Sequence, residues 1–128
     1  MKYLLDTHTA IWVFINKEKL SEKAISVIDN PTNTKYVSIA SAWEMAIKIR
    51  IEKLVFKGGV ERFLYLIDES GFILLPIKRK HAKIIETLPL LHRDPFDRIL
   101  IASAMSEDMC LVTDDENIHK YDVPRIWQ

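Results

Sequence analysis

The sequence has little cysteine, no excess charge of either sign and no long apolar run. The single cysteine, Cys110, cannot form an internal disulfide, which suits a reducing compartment. Lysine plus arginine equal aspartate plus glutamate at 18 each, which excludes a general basic coat for nucleic acid. No apolar run approaches the ~20 residues of a membrane span, and Met1 and Lys2 lead into a strand-like run without signal-peptide features. We therefore expect a cytoplasmic protein with no membrane partner.

Internal repeats, low-complexity tracts and convincing linkers are also missing, so residues 1–128 are expected to form one domain. Short apolar runs of strand length alternate with segments of helical periodicity. The predicted strands are residues 3–5, 35–38, 72–76, 110–113 and 123–127. This alternation predicts an α/β fold, with a central parallel sheet and helices on both faces. In such folds, sites form at the carboxyl ends of strands.

Acidic residues follow two of the predicted strands. Asp6 ends the first strand, where an unpaired buried carboxylate would be costly. Asp114 and Asp115 follow Thr113 at the end of the fourth strand. The structural alternatives are local hydrogen bonds to Asp6 and a helix-capping role for one aspartate of the pair. At this point both interpretations stay open.

Two further carboxylates lie at predicted helix starts. Ser41 and Glu44 have the spacing of a capping box, which would open a helix at Ser41. Asp94 precedes Pro95 and is a good N-cap, which leaves Asp97 in the first turn and free to face a site. If the carboxylates converge, oxygen ligands favour Mg²⁺ or Mn²⁺, and the Cys/His spacings of zinc sites are absent. A divalent ion held this way suits phosphodiester hydrolysis.

Four segments resemble the PIN-domain family, and are most similar to VapC-type toxins of toxin–antitoxin pairs. The segments are Leu4-Leu5-Asp6-Thr7-His8, Ser41-Ala42-Trp43-Glu44, His92-Arg93-Asp94-Pro95-Phe96-Asp97-Arg98 and Leu111-Val112-Thr113-Asp114-Asp115. The resemblance covers nearly the whole chain and implies a single PIN-like domain with Mg²⁺- or Mn²⁺-dependent endoribonuclease activity. It places the catalytic metal ligands at Asp6, Glu44, Asp97 and Asp115. Thr113 would support them; Asp94 and Asp97 could exchange roles, and Asp114 falls at a variable position.

The same resemblance implies an RNA substrate, a small cognate antitoxin and a homodimer. Arg93 and Arg98 flank the Asp94/Asp97 pair and are the candidates for RNA phosphate contact. Two alternatives remain at this stage. One is a non-catalytic module of the same fold that binds RNA or protein. The other is a receiver-like signalling domain, although the expected phosphoacceptor Asp and late-strand Lys are missing from the strand ends.

Overall fold

The computed structural model describes residues 1–128 and contains five strands and six helices. The strands are β1 (Lys2–Leu5), β2 (Thr34–Ser38), β3 (Ile73–Leu75), β4 (Cys110–Val112) and β5 (Arg125–Ile126). The helices are α1 (Thr7–Ile15), α2 (Glu22–Asp29), α3 (Ile39–Arg50), α4 (Gly59–Glu69), α5 (Arg79–Thr87) and α6 (Pro95–Glu107). None of these helices has the length and apolar character needed to cross a membrane.

All five strands form one parallel sheet in the order β3-β2-β1-β4-β5. This confirms the predicted α/β fold with a central parallel sheet. The order differs from the 2-1-3-4-5 order of receiver domains, so the signalling alternative is wrong. With β1 in the middle, the residues that follow β1, β2 and β4 lie side by side at one edge.

Neighbouring residues within each strand point into separate cores, one on each face of the sheet. Leu5, Val37 and Val112 pack with α1 to α4 on one face. Leu4, Leu75 and Leu111 pack on the other face, where α6 supplies most of the helical side chains. This alternation confirms the prediction that helices cover both faces. Burial on both sides also explains why β3 and β4 contain only apolar residues.

Helix α3 begins earlier than the sequence predicts. Its N-cap is Ser38, whose hydroxyl accepts a hydrogen bond from the backbone N–H of Ala40 at 3.0 Å. The prediction that Ser41 opens this helix is therefore wrong. The chain turns from β2 directly into α3, so Ser41 lies inside the first turn and faces α1 instead of capping.

A buried histidine joins α5 to α6. His81 is 0% exposed; its Nδ1 accepts from the backbone N–H of Lys78, and its Nε2 donates to the carboxylate of Glu107 at 2.7 Å. Although burial opposes it, hydrogen bonding from His81, Lys78 and Lys80 holds the pKa of Glu107 at about 2. The bonds tie the end of α6 to the start of α5, which fixes the helix that carries Asp97.

Candidate metal centre

Asp6 lies at the carboxyl edge of the sheet, between β1 and α1. It is only 4% exposed, and it caps α1 by accepting a hydrogen bond from the backbone N–H of Thr9 at 2.8 Å. Its other carboxylate oxygen accepts from the hydroxyl of Thr113, which follows β4. Burial raises the pKa of Asp6 above its ordinary value, and the hydrogen bonds from Thr113 and Thr9 oppose the rise only in part. Asp6 is therefore a buried carboxylate that forms no ion pair with a basic side chain.

Thr113 connects Asp6 to Asp115. The Thr113 hydroxyl oxygen accepts a hydrogen bond from the backbone N–H of Asp115 at 3.1 Å while it donates to Asp6. The Asp115 carboxylate accepts from the backbone N–H of Asn117 at 2.9 Å, which shapes the turn after β4. Asp114 is exposed and lines a neighbouring cleft. The Thr-x-Asp spacing thus places Asp115 beside the site and turns Asp114 away from it.

Glu44 approaches the same edge from α3. Its carboxylate accepts a hydrogen bond from the hydroxyl of Thr7 at 2.7 Å and pairs with Lys48 at 2.8 Å, while Thr7 also bonds the hydroxyl of Ser41 at 2.8 Å. The capping-box interpretation of Glu44 is therefore wrong, because this carboxylate is bonded across to α1. The pairing of Glu44 with Lys48 runs along one face of α3, since the two residues are four positions apart. Thr7 immediately follows Asp6, so Glu44 is held next to the end of β1.

The roles of Asp94 and Asp97 are separated by their bonding. Asp94 caps α6 by accepting from the backbone N–H of Phe96 at 2.8 Å, as predicted. Asp97 instead contacts Nε2 of His92 at 2.7 Å. Burial, helped by the negative charges of Asp94 and Asp115, raises the pKa of Asp97 to about 6, against the opposing hydrogen bond from His92.

The four predicted ligands meet at one edge of the sheet without forming a single tight cluster. Only His92, Asp94 and Asp97 form a group whose potential ligand atoms all lie within 4.8 Å of one another. Each remaining carboxylate is held by its own local partners: Asp6 by Thr113, Glu44 by Lys48 and Asp115 by Asn117. Like charges raise one another's pKa, so separate partners are the expected arrangement without a shared cation.

Arg98 has a structural position instead of the predicted contact with RNA phosphate. Its side chain is buried, and its guanidinium donates to the hydroxyl of Tyr121 and to four backbone carbonyls, those of Ile85, Leu88, Pro89 and His92. Both terminal nitrogens of the guanidinium are bonded inside the protein, so the prediction that Arg98 contacts RNA phosphate is wrong. Arg93 is exposed and lines the groove beside Asp94, where it remains a candidate for phosphate contact.

We expect Arg98→Lys to destabilise the fold by about 1–3 kcal/mol, because one ammonium cannot satisfy five acceptors that a planar guanidinium reaches. Urea unfolding at neutral pH measures this loss. The exposed Arg93→Lys is the matched control and should stay within about 0.5 kcal/mol of the parent. Equal unfolding midpoints for the two variants would show that the carbonyl network contributes little.

Two residues of this site were missed by sequence reasoning. Thr7 donates a hydrogen bond to Glu44. Local spacing does not reveal this contact, since Thr7 and Glu44 are 37 positions apart. The hydroxyl of Tyr121 accepts from the backbone N–H groups of Leu91 and His92 and so holds the loop before α6. No sequence signal marks a tyrosine for this role, because its partners are brought to it only by the fold.

The donor set fits a hard divalent cation. All four predicted ligands are carboxylates, and Thr113 adds a hydroxyl beside Asp6. Oxygen donors of this kind are preferred by Mg²⁺ and Mn²⁺. Burial raises the pKa values of Asp6 and Asp97 because it removes water from their ionised carboxylates. A bound cation would favour the ionised carboxylates.

Several solved structures resemble this fold at low sequence identity. A chain of VapBC2 from Rickettsia felis, bound to a DNA fragment from its promoter, matches with TM-score 0.74 and 19% identity over 100% of both chains. VapBC-1 from nontypeable Haemophilus influenzae matches with TM-score 0.70 and 19% identity, covering 98% of this chain and 97% of the other. FitAcB from Neisseria gonorrhoeae matches with TM-score 0.63 and 16% identity, covering 97% and 96%.

At these identities the structural matches establish the fold alone. No curated protein matches the sequence. The family model of the PIN domain, however, matches residues 3–124. This span covers β1 from Tyr3 onward and all of β2, β3 and β4, and it ends immediately before β5. It includes Asp6, Glu44, Asp97 and Asp115. The chain therefore belongs to the PIN domain family.

Proposed function

We propose that residues 1–128 form one nuclease domain, a metal-dependent endoribonuclease that is the toxin of a type II toxin–antitoxin pair. The observation that carries this proposal is Asp6, a buried carboxylate of raised pKa at the sheet edge where Asp97, Asp115 and Glu44 also arrive. A buried carboxylate is costly to ionise unless it is paired, hydrogen-bonded or coordinates a metal ion. The hydrogen bonds from Thr9 and Thr113 offset this cost only in part. Membership of the PIN domain family supports nuclease chemistry at this position.

In this proposal Asp6 and Asp97 are the principal metal ligands, and Glu44 and Asp115 complete the set directly or through water. Bound Mg²⁺ or Mn²⁺ would acidify a water and offset the negative charge that develops on the phosphate. Thr113 orients the Asp6 carboxylate by its hydroxyl, and Thr7 does the same for Glu44. Lys48 pairs with Glu44, and Nε2 of His92 contacts the carboxylate of Asp97.

Arg93 is proposed to contact the RNA phosphate near the scissile bond. Its side chain is exposed and adjoins Asp94 at the start of α6, and it takes part in no ion pair. A guanidinium can bind phosphate through two parallel hydrogen bonds. Since Arg98 is buried with both terminal nitrogens bonded to protein atoms, we assign the phosphate contact to Arg93.

An apolar groove beside the site supports the proposal of a protein partner. The groove has a volume of about 510 Å³ and is lined by apolar side chains of α3, α5 and α6, among them Trp43, Ile85, Phe96 and Ile99. Trp43 is 59% exposed, which is unusual for so large an apolar side chain. A similar solved structure is described as a toxin–antitoxin complex from Klebsiella pneumoniae. We assign this groove to a segment of the antitoxin.

We also propose that the protein forms a homodimer and acts in the cytoplasm.

The nuclease proposal is tested by incubating the purified chain with defined single-stranded RNA and Mn²⁺ or Mg²⁺. We expect internal cleavage that a chelator stops and that added metal restores. Sedimentation of the same sample measures whether the chain is a dimer. Identical RNA profiles with and without metal, over several RNA classes, would favour the non-catalytic binding module instead.

A further inference from the structure

Three adjacent parallel strands deliver their following residues to the same edge of the sheet. Asp6 follows β1, Thr113 follows β4, and Trp127 follows β5. The backbone N–H of Thr113 donates to the carbonyl of Ile126 at 3.2 Å, and the hydroxyl of Thr113 donates to Asp6. Trp127 thus lies two strand spacings from Asp6, on the order of 10 Å. The proposed chemistry above makes no use of it.

An aromatic row runs from the site to Trp127. The ring of His8, two residues after Asp6, lies 5.9 Å from that of Trp12, which in turn lies 6.0 Å from that of Trp127. His8 is exposed. Trp12 and Trp127 are half-buried and pack against the core on one side, and Trp127 also lines an open cleft. The ammonium of Lys19 lies 5.6 Å from the centre of the Trp12 ring. Aromatic rings beside cations are the usual surface for single-stranded nucleic acid.

The row ends in a cleft of about 590 Å³ between the end of the sheet and α2. Its positively charged lining residues are Lys23 and Arg125, and neither forms an ion pair. Arg125 donates to Nδ1 of His119 at 2.7 Å, which leaves Nε2 of that imidazole as a hydrogen-bond donor. These three side chains together provide donors for a phosphate.

Two carboxylates also line this cleft, Asp114 and Glu116. The charge of the cleft is therefore mixed, and it does not attract polyanions indiscriminately. Mixed charge favours a ligand whose phosphates lie toward Arg125 and Lys23 while an uncharged part packs on the tryptophan. A nucleotide with its base against Trp127 meets both requirements.

We propose that single-stranded RNA flanking the scissile phosphate passes along His8 and Trp12 and places a base on Trp127, with its phosphate held by Arg125 and Lys23. The inference rests on the proposed ribonuclease function and names a substrate subsite for it. Base stacking requires an unpaired strand, because the bases of a duplex are already stacked on one another. Duplex RNA is therefore a poor ligand for this row.

The test measures binding of a fluorescent single-stranded RNA by anisotropy in the presence of a chelator, so that cleavage does not interfere. Trp127→Leu should weaken the affinity at least about fivefold, the lower end of the measured range for one base stacked on an aromatic side chain. Trp127→Phe keeps a π face and should stay within about twofold of the parent. The exposed and distant Tyr65→Leu is the matched control and should bind as the parent does. With metal present, Trp127→Leu should raise KM and leave kcat unchanged.

Folding of the leucine variant is expected, because the backbone at Trp127 is held independently of its ring by the hydroxyl of Ser21, which donates to the Trp127 carbonyl. If that variant nevertheless unfolds, the exposed Arg125→Gln provides the second measurement and should weaken binding and its salt dependence. Unchanged affinity in folded Trp127→Leu, or equal competition by a duplex, overturns the subsite. If the parent cleaves RNA and Trp127→Leu binds RNA as tightly as the parent, the subsite is refuted and the nuclease proposal stands. If Trp127→Leu weakens RNA binding but the parent cleaves no RNA, the subsite is upheld and the nuclease proposal is refuted.

Discussion

Replacing Asp6 with asparagine is expected to abolish RNA cleavage while leaving the protein folded. Asp6 is the most buried of the four proposed ligands, and it faces the site with two carboxylate oxygens bonded only to Thr9 and Thr113. Loss of a single preorganised oxyanion-hole donor slows an enzyme by about 10²–10³-fold. Removal of a principal metal ligand should slow cleavage at least as much. The measurement is the rate of cleavage of a defined RNA at saturating Mn²⁺.

The same variant separates metal binding from folding. An amide offers one acceptor and one donor where the carboxylate has two acceptors, and the Thr113 hydroxyl can reverse to accept from it. With chelator present we expect little loss of thermal stability, because the neutral amide also avoids the cost of burying a charge. The rise in melting temperature that metal gives the parent should disappear. Asp68→Asn, on exposed α4, is the control that should keep both activity and the metal-induced rise.

Asp97→Asn should likewise abolish cleavage, and it should also change how stability depends on pH. The pKa of Asp97 is about 6 in the folded protein and near 3.8 when unfolded, so the folded state holds more protons between these values. Stability of the chelated parent therefore falls as pH rises through this window. The asparagine variant has no carboxyl group to ionise at this position. The difference between its free energy of unfolding and that of the parent should therefore rise by about 1–3 kcal/mol between pH 4 and pH 7.

Urea unfolding of both proteins at several pH values, with chelator throughout, measures this difference. Asp68→Asn again provides the comparison, because an exposed carboxylate should follow the parent across the whole range. A constant difference between Asp97→Asn and the parent from pH 4 to pH 7 would mean that Asp97 is not a buried, charge-deficient carboxylate. Retained cleavage by the variant would remove Asp97 from the set of principal ligands.

Local patterns predicted the elements well where one segment alone decides its structure. Short runs of strand length predicted all five strands, because strand segments buried on both faces are rich in apolar residues. Asp94 before Pro95 predicted the start of α6, since a cap and a first-turn proline act within a few residues. The prediction that Ser41 opens α3 also came from a local pattern, the capping box, and it was wrong. Ser38 at the end of β2 caps the helix instead.

The errors about side-chain roles share one cause. Arg98 was assigned to RNA because it flanks two aspartates, yet its guanidinium is surrounded by backbone carbonyls from the preceding loop and by Tyr121. The capping-box alternative for Glu44 had its carboxylate bonded to the start of its own helix, yet that carboxylate accepts a hydrogen bond from Thr7. In both cases the deciding partner lies in another segment, so no spacing within the motif could identify it.

The order of residue types along the chain determined the alternating α/β fold and placed carboxylates at strand ends and helix starts, because periodicity, capping and the cost of burial act locally. Which carboxylates share one edge, and which partner holds each of them, was decided only by the strand order β3-β2-β1-β4-β5. That order brings Thr113 to Asp6 across 107 positions of sequence and sets Trp127 beside them. Such contacts depend on the packing of the whole chain, and proximity in space carries no signature in the local sequence.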